Sequence, residues 1–276
     1  MENKPKKKIK LVSSDLNGTL VHQHTMMDMI RVYFPYQPER YEKAKEAFTR
    51  QTSGLLSMKD AFKVAGPLTK GLSLRNAIEY ACSKMQFLDG FEEFVSALYK
   101  NKKYFVINST GYSVTTEVIK CLYGSEKIHA VISNHLIFGW EGDPTRAIEE
   151  EYLAQLVKDY FQGRKSENVY DQLLATGEVA LRIQDEEEKA QLLFKVSEKL
   201  SIPRTQIAHI GDTMGDSVGI YEVAKNGGMG IAFNYNEALR DYLEQVLKSE
   251  EIPGTIILAE PKSKASNLKK LLNILL

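Results

Sequence analysis

Short apolar runs recur along the chain, and between most of them the apolar residues fall into helical spacing. The runs are residues 9–13, 104–107, 130–133, 206–210, 229–233 and 255–258. Runs of this length, without polar alternation, are the pattern of strands buried in a parallel sheet. Between them, residues 91–100 place Phe91, Phe94, Val95 and Leu98 on one helical face. Residues 186–200 do the same with Leu192, Leu193, Val196 and Leu200. Strands alternating with helices predict an α/β fold, with a Rossmann-like, doubly wound parallel sheet.

Two stretches break this rhythm. Residues 22–87 carry helical signals at 26–34, 38–52, 58–65 and 74–85, and no convincing strand. A small helical cap inserted after the first strand accounts for them. The second stretch is a helical insertion at about 141–178. Leu136 to Trp140, followed by Glu141-Gly142-Asp143, reads as a short hairpin or turn. Residues 144–162 then read as an acidic amphipathic helix, with a shorter helix near 170–174. The expected division is a core of residues 1–21 and 88–276 and a helical block of residues 22–87.

Composition narrows the function. Lys plus Arg and Asp plus Glu stand at 36 each in 276 residues, so the net charge is formally zero. Such a balance supplies no positive field for nucleic acid. The basic run from Lys4 to Lys10, broken by Pro5 and Ile9, reads as a solvated tail ahead of the first strand. Two cysteines, Cys82 and Cys121, are too few for a disulfide framework and fit a reducing compartment. No stretch approaches the roughly 18 apolar residues a membrane span needs. The expectation is a cytoplasmic protein with no nucleic-acid or membrane partner; oligomeric state is not legible.

Chemistry gathers at three strand ends. The first strand runs into Ser14-Asp15-Leu16-Asn17-Gly18-Thr19. In an open α/β sheet, ligands bind beyond the carboxyl ends of the strands. An aspartate there, beside a glycine turn, can present a carboxylate next to exposed amides that cradle phosphate. An ordinary Asn-Gly turn is the alternative. The second strand end is Asn108-Ser109-Thr110-Gly111. Ser109, Thr110 and the following amides could bind phosphate at a helix start, or Ser109 or Thr110 could simply cap that helix. The third is Gly211-Asp212-Thr213-Met214-Gly215-Asp216-Ser217. Its two carboxylates suit a hard cation such as Mg²⁺, whereas helix capping alone would also explain Asp216. Lys189, near the start of the helix before that strand, could neutralise a phosphate and restrain an aspartate. Lys195 is a competing lysine further along the same helix.

Taken in order, Asp15-Leu16-Asn17-Gly18-Thr19, Ser109, Lys189 and Gly211-Asp212 with Asp216 resemble the four motifs of the haloacid dehalogenase superfamily. The resemblance covers residues 9–20 and about 88–276. It implies that Asp15 is a nucleophile that accepts a phosphoryl group. It implies Mg²⁺ held by the Asp15 carboxylate, the Asn17 main-chain carbonyl and Asp212, with Asp216 in support. Ser109 and Lys189 would bind phosphoryl oxygens. The helical block and the Leu88-Asp89-Gly90-Phe91 lead-in are similar to the phosphoserine phosphatase-like branch. Phosphoserine enzymes carry a glutamate nine residues after the nucleophile, where this chain has His24, so phosphoserine specificity is not implied.

One departure bears on function. The superfamily's phosphatases have an aspartate two residues after the nucleophile, which protonates the leaving group and then deprotonates water. Here that residue is Asn17. An amide cannot relay a proton at neutral pH, and such catalysis is typically worth about 10²–10⁴-fold. Three readings stay open: a slow or specialised phosphatase, an engineered exchange that traps a complex, and a site kept for binding. The sequence expectation is a Mg²⁺-dependent phosphohydrolase acting on a small phosphorylated metabolite through an aspartyl phosphate. The alternative is a catalytically weakened protein that binds a phosphorylated ligand or partner.

Overall fold

In the computed structural model, residues 8–263 and 265–276 are described. The lysines at positions 4, 6 and 7 of the basic run therefore lie outside the described residues. Strand β1 (Leu11–Ser14) is buried on both faces. It is followed by helices α1 (Thr25–Tyr33), α2 (Pro38–Thr52), α3 (Met58–Ala65) and α4 (Leu74–Ser83). Then come α5 (Phe91–Lys100), β2 (Tyr104–Tyr112), α6 (Ser113–Tyr123), β3 (Ala130–Trp140), β4 (Asp143–Ala147), α7 (Glu150–Asp159), α8 (Val169–Gln172) and β5 (Leu173–Ala180). The chain closes with α9 (Glu186–Lys199), β6 (Ile207–Gly211), α10 (Ser217–Lys225), β7 (Met229–Tyr235), α11 (Glu237–Ser249), β8 (Thr255–Pro261) and α12 (Lys269–Leu275).

The sheet order is β4-β3-β2-β1-β6-β7-β8, with β5 also paired to β3. From β3 through β8 the pairs are parallel. β1 lies between β2 and β6, where the winding reverses, and this is the place where an open sheet leaves a crevice at its carboxyl edge. Ser14 is in register with Ile107 of β2 and Ile210 of β6. The residues that follow Ser14, Ile107 and Ile210 therefore emerge side by side.

The helical block forms where the spacing predicts. Ser57 and Ser73 cap α3 and α4 by accepting hydrogen bonds from the main-chain nitrogens of Asp60 and Asn76, at 3.1 and 3.2 Å. Pro38 sits in the first turn of α2, where its missing N–H costs nothing. The block turns Met26, Ile30, Phe48, Phe62 and Ile78 inward, and they join one apolar cluster with Leu11, Phe105 and Ile210 of the sheet. Two seams hold the block. At its base the entering and leaving segments run together: His22 N–H donates to Gln86 O, and Leu88 N–H to Leu20 O, both at 2.9 Å. At its far side, Gly71 N–H donates to Ala175 O at 2.9 Å, and Ala175 N–H to Leu72 O at 2.8 Å. Arg75 closes this second seam, gripping both carboxylate oxygens of Asp171 at 2.7 and 2.8 Å and the carbonyl of Glu167 at 3.1 Å.

The second seam exists because the stretch 141–178 is not the helical insertion that the sequence suggests. β3 is one strand through Trp140, and Gly142, at φ +82°, turns the chain into β4. The expected helix begins at Glu150, not at position 144, and β5 then returns antiparallel to β3. β5 reads LLATGEVA, in which Thr176 and Gly177 dilute the apolar signal, although its burial does alternate along the first half. A second correction concerns α9. Its buried positions are Lys189, Ala190, Leu193, Phe194 and Ser197, a face rotated from the one expected through Leu192, Val196 and Leu200. Aiming Lys189 into the molecule brings Leu193 and Ser197 onto the same inward face.

Arg75→Ala should loosen the second seam. We expect a loss of about 1–2 kcal/mol in chemical denaturation, since several hydrogen bonds to one guanidinium are removed from a partly exposed site. Amide exchange should accelerate in residues 165–175 while β1 and β6 keep their protection.

Candidate active site

Asp15, the residue after β1, is 6 % exposed and lies against a buried lysine. Lys189 donates from Nζ to Asp15 Oδ1 at 2.8 Å and forms a shorter contact to Asp216 Oδ1. α9 aims this lysine because Asp185 caps its first turn, accepting from Glu188 N–H at 2.8 Å. Asn108 Nδ2 then fastens the helix to β2 by donating to the Lys189 carbonyl at 2.9 Å. Lys195 is exposed on the outer face of the same helix and plays no part.

Asp212 follows β6 and accepts from Thr19 Oγ1 at 3.0 Å, which ties it to the loop after Asp15. Asp216 is both a cap and a site residue. Its Oδ2 accepts from the main-chain nitrogens of Asp212 at 3.1 Å and Thr213 at 3.4 Å, while Oδ1 faces Lys189. Ligand oxygens of Asp15, Asp212 and Asp216 lie within 4.8 Å of one another, a grouping able to hold a metal ion. Glycine is required at two positions here. Gly18 has φ +81°, and a Cβ on it would collide with the Asp212 carboxylate; a Cβ on Gly211 would collide with Asp216.

Asn17 is held in a fixed orientation. Its Oδ1 accepts from both the main-chain N–H and the Oγ1 of Thr25, each at 2.8 Å. These donors fix which end of the amide is oxygen. Nδ2 is left facing Gly111, whose added Cβ would stand 3.4 Å from it. An aspartate at position 17 would accept the same two bonds.

The second strand end differs from the expectation. β2 continues through Ser109, Thr110 and Gly111 to Tyr112, and Tyr112 is the residue preceding the first turn of α6. Neither Ser109 nor Thr110 caps that helix. Ser109 is fully buried, and its Oγ accepts from Gly111 N–H at 3.2 Å. Thr110 reaches the cavity described next, while Asn134 Nδ2 donates to its carbonyl at 3.0 Å.

A cavity of about 210 Å³ opens over these groups. Asp15, Asn17, Lys189, Asp212 and Asp216 form its floor, and the helical block and its base supply His24, Met27, Gln51 and Thr52. His24 packs against Phe48 with ring centroids 4.6 Å apart and the rings tilted by 36°. Lys262, just beyond β8, completes the rim. Sequence reasoning named no role for Thr19, Thr25 or Asn234. Asn234 is in the left-handed region at φ +55°. It donates to the Gly18 carbonyl at 2.6 Å and accepts from Ser263 N–H at 3.1 Å and Ser266 Oγ at 2.9 Å. Such single hydroxyls and amides carry no motif, so only the fold reveals them.

The electrostatics follow from burial. Three carboxylates share one ammonium. Burial, with the Asp216 charge nearby, pushes Asp15 up to about 6 although Lys189 pulls the other way. Burial and the two neighbouring aspartates push Asp212 up as well. Burial alone would lower Lys189, but Asp15 and Asp216 outweigh it and its pKa is raised. Behind them His209 is sealed in, bonded through Nδ1 to Ser13 Oγ at 3.1 Å. Burial and the Lys189 charge push it down to about 3, so it is neutral at pH 7.

No family model matches the chain. A phosphoserine phosphatase of Archaeoglobus fulgidus is 22 % identical over 245 residues, which is 89 % of this chain and 58 % of that protein. The chain thus spans well under two thirds of that relative's length. Among solved structures, a phospho-aspartyl intermediate analogue of phosphoserine phosphatase superposes with a TM-score of 0.67 at 18 % identity, covering 97 % of this chain and 99 % of the other. A haloacid dehalogenase family hydrolase from Salmonella enterica serovar Typhi gives 0.65 at 17 % identity, covering 98 % of this chain and 72 % of that one. Among the described residues, no helix is long and apolar enough to cross a membrane.

The raised carboxyls set a pH dependence. Asp15 and Asp212 keep their protons to higher pH when folded than when unfolded, so between about pH 4 and 6 the folded chain binds more protons and its stability falls as pH rises. Asp212→Asn removes one of the clustered charges. Thermal melts in chelator should show the variant above the parent at about pH 7.5, with the gap closing toward about pH 4. A variant less stable throughout would mean that the Thr19 bond outweighs the repulsion.

Proposed function

We propose that the chain is a member of the haloacid dehalogenase superfamily, on its phosphoserine phosphatase-like branch, and that it is a metal-dependent phosphohydrolase acting on a small phosphomonoester; the similarity to phosphoserine phosphatases supports this reading. The observation that carries this reading is the placement of Asp15. It stands at the sheet's reversal point, gripped by Lys189, beside Asp212 and Asp216, in the lining of a cavity.

The donor set fits a hard divalent cation. Three buried carboxylates with one ammonium leave two negative charges without a partner in the cluster. The Asp15 and Asp212 carboxylates and the Asn17 main-chain carbonyl would hold Mg²⁺, with Asp216 in support. When bound, Mg²⁺ offsets charge on the transferring phosphoryl group.

The residues of the chain do the rest. A carboxylate oxygen of Asp15 attacks phosphorus, the bond to the ester oxygen breaks, and an aspartyl phosphate forms. Lys189 neutralises the incoming phosphate while holding Asp15 in place. Thr110 and Asn17 Nδ2 offer donors to its oxygens, with Ser109 and Gly111 shaping the strand end behind them. The leaving oxygen takes its proton from water, because Asn17 has none to give. Water then attacks the aspartyl phosphate, releasing inorganic phosphate and restoring the Asp15 carboxylate. The residues 22–87 act as the cap over this chemistry and exclude bulk water from it.

Asn17 favours a second reading of the same site, a long-lived phosphorylated or phosphate-bound state with little turnover. One experiment separates the two. Asn17→Asp keeps the bonds to Thr25 and restores an acid–base. Steady-state turnover should rise by about 10²–10⁴-fold, most on alkyl esters, whose poor leaving groups depend most on protonation. Asp15→Asn should be inactive in either background. If Asn17→Asp is no faster while Asp15-dependent activity is measurable, Asn17 is not the missing group. Mg²⁺ titration by calorimetry should show binding that Asp212→Ala weakens; equal affinity would count against the metal assignment.

A further inference from the structure

The leaving group of a substrate attacked by Asp15 must lie against the wall opposite the carboxylate cluster, and that wall has a distinctive charge. His24, Met27, Gln51 and Thr52 supply neutral groups, and Lys262 supplies a cation. Among the described residues, every carboxylate lining the cavity belongs to Asp15, Asp212 or Asp216. Those three are already engaged by Lys189, by Thr19 or by capping bonds.

Lys262 is set at the rim by its backbone. Its N–H donates to Tyr235 O at 2.9 Å, and the next residue's N–H donates to Asn234 Oδ1 at 3.1 Å. Asn234 also holds Gly18, so the base of Lys262 is tied to the loop that follows the nucleophile. Its ammonium makes no ion pair with any described residue. His24 adds no opposing charge, because burial pushes it down to about 4 and leaves its ring neutral at pH 7.

From this wall we infer, resting on the phosphohydrolase reading, that the substrate is a small phosphorylated hydroxy acid: its leaving group carries a carboxylate and hydroxyl groups and no ammonium. Lys262 pairs with the carboxylate, and the hydroxyls meet His24, Gln51 and Thr52. An ammonium at the same place would face the like charge of Lys262 and neutral groups, with no free carboxylate to pair it, and partial desolvation of an unpaired charge is costly. The cavity's small volume, about 210 Å³, restricts the leaving group to a few carbons, since drug-sized ligands occupy roughly 300 Å³ or more.

Two isosteric esters isolate the ammonium. O-phosphoserine and 3-phosphoglycerate differ in an ammonium against a hydroxyl; glycerol 3-phosphate keeps the hydroxyls and lacks the carboxylate. With Mg²⁺ present, kcat/KM on 3-phosphoglycerate should exceed that on O-phosphoserine by at least about 30-fold, the scale of one unpaired buried polar or charged group. Lys262→Gln should lower kcat/KM on 3-phosphoglycerate about fivefold through KM, as expected of one partly exposed ion pair, and leave glycerol 3-phosphate within about twofold. Equal or faster use of O-phosphoserine overturns the inference. So does a Lys262→Gln effect that is absent, or the same on all three esters. If no ester is turned over, including an aryl phosphate, the phosphohydrolase reading fails; calorimetric affinities of the same compounds then decide the inference by the same ratios.

Discussion

Lys189 is the pivot of the structure. Its ammonium is sealed from water between Asp15 and Asp216, which come from strand ends on either side of the β1–β6 seam. An ammonium in such a place survives only if carboxylates surround it, and carboxylates in such a place survive only if cations do. Each of the three elements is therefore fixed by the other two. α9 must turn the face that carries Lys189 toward β2, and the Asn108 bond to the Lys189 carbonyl holds it there. The loop after β6 must fold into a short turn, because Asp216 reaches Lys189 only while its other oxygen accepts from Asp212 and Thr213.

Even with Lys189 in place the cluster carries more acid than base, and this imbalance gives the site its chemical character. A fold selected for stability alone would place apolar groups there. Here the strain falls on groups that can be relieved by ligands, a hard cation on one side and a bound phosphoryl group on the other. The neutral surroundings keep that demand local. His209 contributes no charge behind the cluster, and Asn17 contributes none in front, because an amide is neutral, with its oxygen held by Thr25.

Much of this arrangement was legible in the sequence, because strand ends in a parallel sheet are marked by the end of an apolar run. Asp15 and Asp212 each follow such an end directly, Asp216 lies in the turn after Asp212, and Lys189 lies near the start of the helix before β6. The four helices of residues 22–87 were legible from their helical signals. What escaped has a common cause. Thr19, Thr25 and Asn234 act through single hydrogen bonds at positions set by tertiary folding. Ser109 was placed at a helix start, because an apolar run ending in Ser-Thr-Gly reads as strand followed by cap; instead the strand continues, and the hydroxyl serves Gly111 from inside the sheet. β5 escaped because its pairing with β3 and with residues 71–72 supplies the order that its own composition lacks.

That strand changes what the helical block can do. With the base seam alone, the block would be free to swing about residues 20–23 and 84–88. The bonds of Gly71 and Leu72 to Ala175, with Arg75 on Asp171, fasten the side formed by α4 to the core. A rigid swing about the base would break that second seam. The part of the block tied by neither seam is the end formed by α1, α2 and α3, which contributes Met27, Gln51 and Thr52 to the cavity. That end is held instead at the site itself, where Thr25 at the start of α1 donates twice to Asn17, so the residues that would meet a leaving group are positioned by the same loop that carries Asp15.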